Sequence, residues 1–164
     1  MATKTKNSKN QLSNKGQFVN TAHVDKLITT YKKERWVQNS ERLGKNDSLS
    51  TWYGLTELEE FLQKAKDFNA DGIKIYYGVY PKNQEIALEL QGRQTVLLVA
   101  TKEKVTENGT QNKDIYLKTS SGTNILAFNY GTICPPFCGT GGGIGPLLGL
   151  ELKVSKDIDS IFQN

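Results

Sequence analysis

Two segments in the first half of the chain carry apolar residues three and four positions apart. The first set is Val24, Leu27, Ile28 and Tyr31, and the second is Leu58, Phe61, Leu62 and Ala65. This spacing places each set on one face of an α-helix, so the sequence predicts two amphipathic helices. Asn20 or Thr21 can cap the first helix. Thr56 with Glu59 is expected to form a capping box at the start of the second.

The second half of the chain consists of short apolar runs separated by turn residues. Residues 73–81 alternate in side-chain character, as a strand with one buried face does. Residues 95–101 are almost entirely apolar, which is typical of a central strand covered on both faces. Shorter runs lie at residues 86–90, 114–117, 125–131 and 148–154. They are interpreted as strands, although 86–90 can instead be a short bridging segment. Residues 38–48 and 103–113 are interpreted as polar connections.

Helices therefore come early in the chain and strands come late. This order predicts an α+β fold with a mostly antiparallel sheet and the two helices of the N-terminal half packed on one face. We expect residues 21–164 to form a single domain with a glycine-rich segment at 139–149. Residues 1–20 are polar and lysine-rich, which predicts a disordered basic tail.

The charge of the chain resides in that tail. Once its four lysines are set aside, basic and acidic residues are equal in number, which argues against nucleic-acid binding by the folded part. Weak binding of a polyanion by the tail remains an alternative function. The N-terminus lacks the apolar core of a secretory signal, and no stretch approaches the ~20 apolar residues of a membrane span. The sequence predicts a cytoplasmic protein without a membrane span.

Both cysteines lie in the sequence Cys-Pro-Pro-Phe-Cys, with Cys134 and Cys138 at its ends. Two thiolates are half of a tetrahedral zinc shell, but His23 is the only histidine available to complete it. A redox pair is also open, although the spacing differs from the Cys-x-x-Cys of helix-borne redox sites. The sequence favours a third interpretation, in which both cysteines are small buried apolar residues fixed by the prolines.

A glycine-rich run follows the second cysteine. It is not a P-loop, because no Lys-Ser/Thr pair follows it, and Ile144 and Pro146 occupy positions where a dinucleotide fingerprint needs glycine. Its apolar flank favours contact with another surface. The candidate binding residues are Cys134, Pro135, Pro136, Phe137, Cys138, Gly141, Gly142, Gly143 and Ile144.

Residue types that carry catalysis are scarce. A single histidine excludes most catalytic triads, and the sequence has no His-x-x-x-His motif or acidic metal motif. The sequence therefore favours a non-enzymatic protein, without a cofactor, that binds another protein or a copy of itself. The predicted surface is the segment from Cys134 to Leu150. Thiol-redox chemistry or metal binding by Cys134 and Cys138 is the alternative.

Three motifs resemble those of a group of small uncharacterised bacterial proteins. They are Ser-Thr-Trp-Tyr at 50–53, Gly-Ile-Lys-Ile-Tyr-Tyr-Gly at 72–78 and Cys-Pro-Pro-Phe-Cys at 134–138. The resemblance covers roughly residues 30–138. It implies no activity, cofactor or site residue, because none is assigned to that group. The glycine-rich run lies outside it.

Overall fold

A computed structural model of the chain describes residues 16–138. The glycine-rich segment and most of the predicted basic tail lie outside this range. Within it, no helix has the length and apolar character needed to cross a membrane.

The first helix is longer than the sequence predicts. Helix α1 (Thr21–Tyr31) continues through a π-helical turn (Lys32–Trp36) into α2 (Val37–Leu43). Asn20 caps its start, because its side chain accepts a hydrogen bond from the N–H of His23 at 3.0 Å. The interpretation of residues 38–48 as a connection is wrong as far as Leu43. The helix ends at Gly44, whose φ of 74° is a left-handed conformation that glycine adopts without steric cost.

Helix α3 (Leu55–Asp67) confirms the second predicted helix. Its N-terminus differs in detail, because Gly54 is the capping residue and the Glu57 carboxylate accepts from the Gly54 N–H at 2.7 Å. The predicted capping box of Thr56 and Glu59 is therefore wrong. Of the predicted stripe, Phe61 and Ala65 are buried.

Eight strands follow one another within residues 16–138. They are β1 (Ser50–Trp52), β2 (Gly72–Val79), β3 (Gln94–Thr106), β4 (Gly109–Asp114), β5 (Tyr116–Thr119), β6 (Gly122–Ile125), β7 (Ala127–Phe128) and β8 (Thr132–Cys134). Strand β3 is central: β2 pairs with one edge over residues 94–101, and the other edge pairs with β7 at Leu98 and Val99 and with β4 over residues 101–106. Strands β5 and β6 form a hairpin, and β1 pairs with β8. All of these pairings are antiparallel.

Two sequence predictions about strands are corrected here. Residues 103–113 are not a loop: they contribute to the β3–β4 hairpin, which turns at Glu107 and Asn108. Residues 86–90 do not form a strand despite their alternating pattern. The chain bends there instead, and the Gln91 side-chain amide donates to the backbone carbonyls of Asn83 and Ile86.

The core lies between α3 and one face of the sheet. Phe61 and Ala65 pack with Ala100 of β3 and with Leu126, and the rings of Phe61 and Phe128 stack with centroids 5.3 Å apart. Because side chains alternate along a strand, the even-numbered residues of β3 all face this side. The predicted α+β fold, with an antiparallel sheet and helices on one face, is confirmed.

Candidate functional site

The five residues from Cys134 to Cys138, here called the cysteine loop, leave the end of β8. Their two sulfur atoms are joined in a disulfide, with the Cα atoms 4.7 Å apart. The peptide bonds before Pro135 and Pro136 are both cis. Both cysteines are half-buried. The favoured interpretation of both cysteines as small buried apolar residues is therefore wrong, because they are half-buried and bonded to each other.

Backbone contacts fasten the cysteine loop to the rest of the fold. The Cys134 carbonyl accepts from the Leu49 N–H at 2.7 Å, and the Phe137 N–H donates back to the carbonyl of Ile133 at 3.1 Å. Ile133 itself is fully buried. The disulfide thus closes the loop, and the buried Ile133 side chain anchors the strand that precedes it.

Arg93 connects the cysteine loop with two other segments. Its buried guanidinium donates to the backbone carbonyls of Glu89 at 2.6 Å, of Asn46, and of Pro135 at 3.5 Å. Burial lowers the pKa of Arg93 from its ordinary value, and the nearby Asp47 carboxylate opposes this shift. The side chain still carries its charge, since the guanidinium of arginine does not lose its proton in proteins. Arg93 therefore holds loops together, and the sequence had given no signal of this role.

Two aromatic side chains are exposed here, Trp52 on β1 and Phe137 within the cysteine loop. In the β1–β8 pair, Ser50 lies opposite Cys134 and Trp52 lies opposite Thr132, so Trp52 and Cys134 share the outward face. Trp52 is 66% exposed and Phe137 is 52% exposed. We call this outward face of β1–β8 together with the cysteine loop the aromatic surface.

The remaining predicted site residues belong to the glycine-rich segment. Gly141, Gly142, Gly143 and Ile144 lie outside the described residues. Among residues 16–138, no group of three or more histidine, cysteine, aspartate or glutamate side chains could hold a metal ion. A disulfide presents no thiolate, so metal binding by Cys134 and Cys138 requires their reduced form.

A second feature is a cleft between α1 and the sheet, which the sequence patterns did not predict. Its volume is about 290 Å³. Its apolar walls are formed by Leu27, Ile28, Leu49, Tyr77 and Val96. Val96 and Gln94 lie on the same face of β3 as the core. The cleft therefore continues the core face of the sheet at the end that α3 does not cover.

The polar groups of this cleft are unevenly paired. The Tyr31 hydroxyl donates to the Gln94 side-chain oxygen at 2.7 Å. Burial raises the pKa of Tyr31, so its hydroxyl remains protonated and a donor. Ser48, another lining residue, is only 4% exposed, and its Oγ atom has no hydrogen-bond partner among residues 16–138. Buried hydroxyls are normally paired, so Ser48 is an exception that needs an explanation.

Asp47 is bonded to two of the residues that line the cleft. One carboxylate oxygen accepts from the backbone N–H groups of both Ser48 and Gln94 at 2.7 Å. The Asp47 carbonyl accepts from the Trp36 indole at 2.7 Å, and the Asp47 N–H donates to the Ser40 hydroxyl at 2.9 Å. These contacts tie the long helix to the start of β3, although the sequence around Asp47 reads as an ordinary polar turn.

The opposite face of the sheet carries a small charged cluster. The Lys74 ammonium lies 2.8 Å from one oxygen of Asp114, and the Tyr76 hydroxyl donates to the other oxygen at 2.9 Å. The hydrogen bond from Lys74 lowers the pKa of Asp114, and the same bond raises the pKa of Lys74. Each carboxylate oxygen accepts a hydrogen bond from a side chain of β2, so the cluster bridges β2 and β4 across β3.

Neither a protein-family model, nor a curated protein, nor a solved structure matches this chain. The resemblance to small bacterial proteins therefore stays a prediction. The geometry of the aromatic surface and of the cleft is what supports the function proposed below.

Proposed function

We propose that this protein is a non-enzymatic binding domain whose partner is another protein or a second copy of the chain. The aromatic surface is the proposed contact area. The observation that carries the proposal is the exposure of Trp52 and Phe137 on a support that the disulfide and the Arg93 contacts hold in place.

Physical reasons connect this surface with binding. Tryptophan is among the residues that contribute most to protein–protein affinity, because a large ring loses contact with water when a partner covers it. A fastened loop also loses little conformational freedom on binding, which reduces the cost of association. The predicted continuation of this surface to Leu150 lies outside the described residues.

The test uses the full chain with single substitutions. Trp52→Ala and Phe137→Ala are expected to weaken self-association, measured by sedimentation, or the photo-crosslinking of one defined partner in the native host. The control is Val105→Ala, which removes an apolar side chain that is 84% exposed on the β3–β4 hairpin. A protein that sediments as a monomer and yields no crosslink from position 137 contradicts the proposal. Equal losses in all three variants also contradict it.

Thiol–disulfide chemistry is a second candidate function, and the disulfide itself favours it. We propose a cytoplasmic location, where thiols are kept reduced and disulfides are typically transient and redox-active. Rapid alkylation of lysed host cells, followed by mass spectrometry, would then find Cys134 and Cys138 partly reduced. A pair that stays fully oxidised under all growth conditions contradicts a redox role and indicates a structural bond.

A further inference from the structure

The cleft between α1 and the sheet has the features of a small-molecule site. We propose that it binds a neutral molecule with an apolar body and one hydroxyl or amide group. This inference is independent of the proposed function, because the cleft opens between α1 and the sheet and contains neither Trp52 nor Phe137.

The size of the cleft limits the ligand. Its volume is about 290 Å³, close to the lower end of the ~300–1,000 Å³ found for ligand pockets. A water molecule occupies about 30 Å³ in the liquid, so the cleft holds about ten waters or an organic molecule with a similar number of non-hydrogen atoms. Four of the described lining residues are aliphatic and two are tyrosines: Leu27, Ile28, Leu49 and Val96, with Tyr31 and Tyr77.

The unpaired polar atoms determine the kind of head group. The Ser48 hydroxyl has no partner among the described residues, and rotation about its Cα–Cβ bond can re-aim it among three staggered positions. Gln94 uses its side-chain oxygen for Tyr31, and Gln94 is itself one of the lining residues. The ligand therefore supplies a hydrogen-bonding group, and the Ser48 hydroxyl turns toward it in the complex.

The charges around the cleft exclude an anionic ligand. None of the described residues that line it is charged, so a carboxylate or phosphate would lose its hydration without gaining an ion pair. The Asp47 carboxylate is bonded to the N–H groups of two lining residues, Ser48 and Gln94, and its charge repels an anion in the cleft. A neutral hydroxyl or amide has neither cost.

The first experiment compares 1-octanol with octanoate, which differ in the charge of the head group. Each is titrated into the isotope-labelled full chain while backbone amide resonances are followed by NMR. We expect 1-octanol to shift the resonances of Ile28, Ser48 and Tyr77 in a saturable way, with a Kd of about 1 mM or tighter. Octanoate should bind at least tenfold more weakly. Absence of saturable shifts at these residues, or equal binding of octanoate, overturns the proposal.

The second experiment separates ligand binding from a structural role of Ser48. Ser48→Ala should weaken 1-octanol binding about tenfold, as expected for loss of one hydrogen bond to a buried ligand. It should leave the urea midpoint unchanged or raised, because it removes a buried hydroxyl that has no partner. Ser120→Ala, at an exposed serine, is the matched control and should change neither value. Unchanged octanol affinity in Ser48→Ala overturns the proposal.

A blocking variant covers the case in which Ser48→Ala does not fold. Leu27→Trp fills the cleft from α1, at a side chain that lines it and is more than half exposed. It is expected to abolish the octanol-induced shifts while leaving the fold intact. Octanol binding that survives Leu27→Trp places the ligand elsewhere and overturns the proposal. Trp52→Ala should retain octanol binding, which keeps this test separate from that of the proposed function.

Discussion

The two helices cover the same face of one sheet in different ways. At the end near Ala100, α3 closes the core, and Phe61 and Ala65 are buried against the strands. At the end near Gln94, α1 buries none of its residues and leaves a cleft. Both helices lie on the same strand, β3. The difference therefore comes from the side chains of the helices and of each end of the sheet.

Side-chain size explains why the α3 end closes. The contact contains alanine on both partners, Ala65 on the helix and Ala100 on the strand, and small residues let a helix approach a sheet closely. Phe61 then fills the remaining space and stacks on Phe128. The result is a core held by apolar burial, which contributes about 25 cal/mol per Å² removed from water.

Hydrogen bonds hold the α1 end instead. Tyr31 reaches the sheet through its hydroxyl, which donates to Gln94, and Trp36 donates its indole N–H to the Asp47 carbonyl. Because these contacts run through long side chains, they hold the helix at a distance from the sheet. This distance keeps the cleft open. One end of the sheet therefore provides stability, and the other provides a space that a ligand can enter.

The largest expected effect is at the closed end. Phe61→Ala should lower the free energy of unfolding by about 3–5 kcal/mol, because it leaves a cavity in the core. Leu27→Ala, at a side chain that is 58% exposed at the open end, should change it by about 0.5 kcal/mol. Urea unfolding measures both, and Phe61→Leu serves if the alanine variant does not fold. Similar losses for Phe61 and Leu27 would remove the distinction between the two ends.

The closed end is also the part that the sequence predicted well. The stripe containing Phe61 and Ala65 predicted α3, and the apolar run of 95–101 predicted a central strand. Both predictions rest on the spacing of apolar residues along the chain, which indicates the face of an element that is buried. Elements whose formation depends on apolar burial leave such a pattern in the sequence, so they can be identified before the structure is known.

The open end could not be predicted in the same way. Residues 38–42 are polar and carry no apolar stripe, yet they are helical. Ser40 and Trp36 tie this part of the helix to the Asp47 backbone. Asp47 and Arg93 are polar residues in segments that look like turns, and they are buried only because partners distant in sequence enclose them. Hydrogen bonds between distant segments have no periodicity. The cleft was missed for this reason. The closed cysteine loop was missed because the spacing of two cysteines does not show whether their sulfur atoms meet.

A smaller loss is expected when the polar network of the open end is broken. Asp47→Ala removes the acceptor for two backbone N–H groups, those of Ser48 and Gln94. Losing hydrogen bonds to a charged acceptor should cost about 1.5–3 kcal/mol. Asp47→Asn keeps one oxygen as an acceptor and should cost less.

Hydrogen exchange locates the effect of the Asp47 substitution. The amides of Ser48 and Gln94 and the indole N–H of Trp36 should exchange faster in Asp47→Ala. The amides of α3 around Ala65 should exchange at the same rate in Asp47→Ala as in the unsubstituted protein. If amide exchange in α3 were accelerated equally, the two ends of the sheet would unfold as one unit. They would then differ in packing but not in stability.

The smallest expected effect concerns the far face of the closed end. Asp114→Asn removes the ion pair with Lys74 and weakens the hydrogen bond from Tyr76. Because the pair is partly exposed to solvent, the expected loss at neutral pH is about 0.5 kcal/mol, within the range for surface ion pairs. A loss as large as that of Phe61→Ala would mean that charge, not apolar burial, stabilises this end.

The pH dependence of that small effect follows from the two pKa shifts. The folded-state pKa of Asp114 is lowered from 3.8 by the Lys74 hydrogen bond, so its contribution is present above that pH and lost as pH falls through the lower value. The folded-state pKa of Lys74 is raised from 10.5 by the same bond, so its contribution is lost only as pH rises past that value. The stability difference between the unsubstituted protein and Asp114→Asn should therefore be constant between about pH 5 and 9 and vanish in acid. A difference that grows as the pH falls below about 4 would contradict the assignment of the charged pair, because a protonated Asp114 has no charge to contribute.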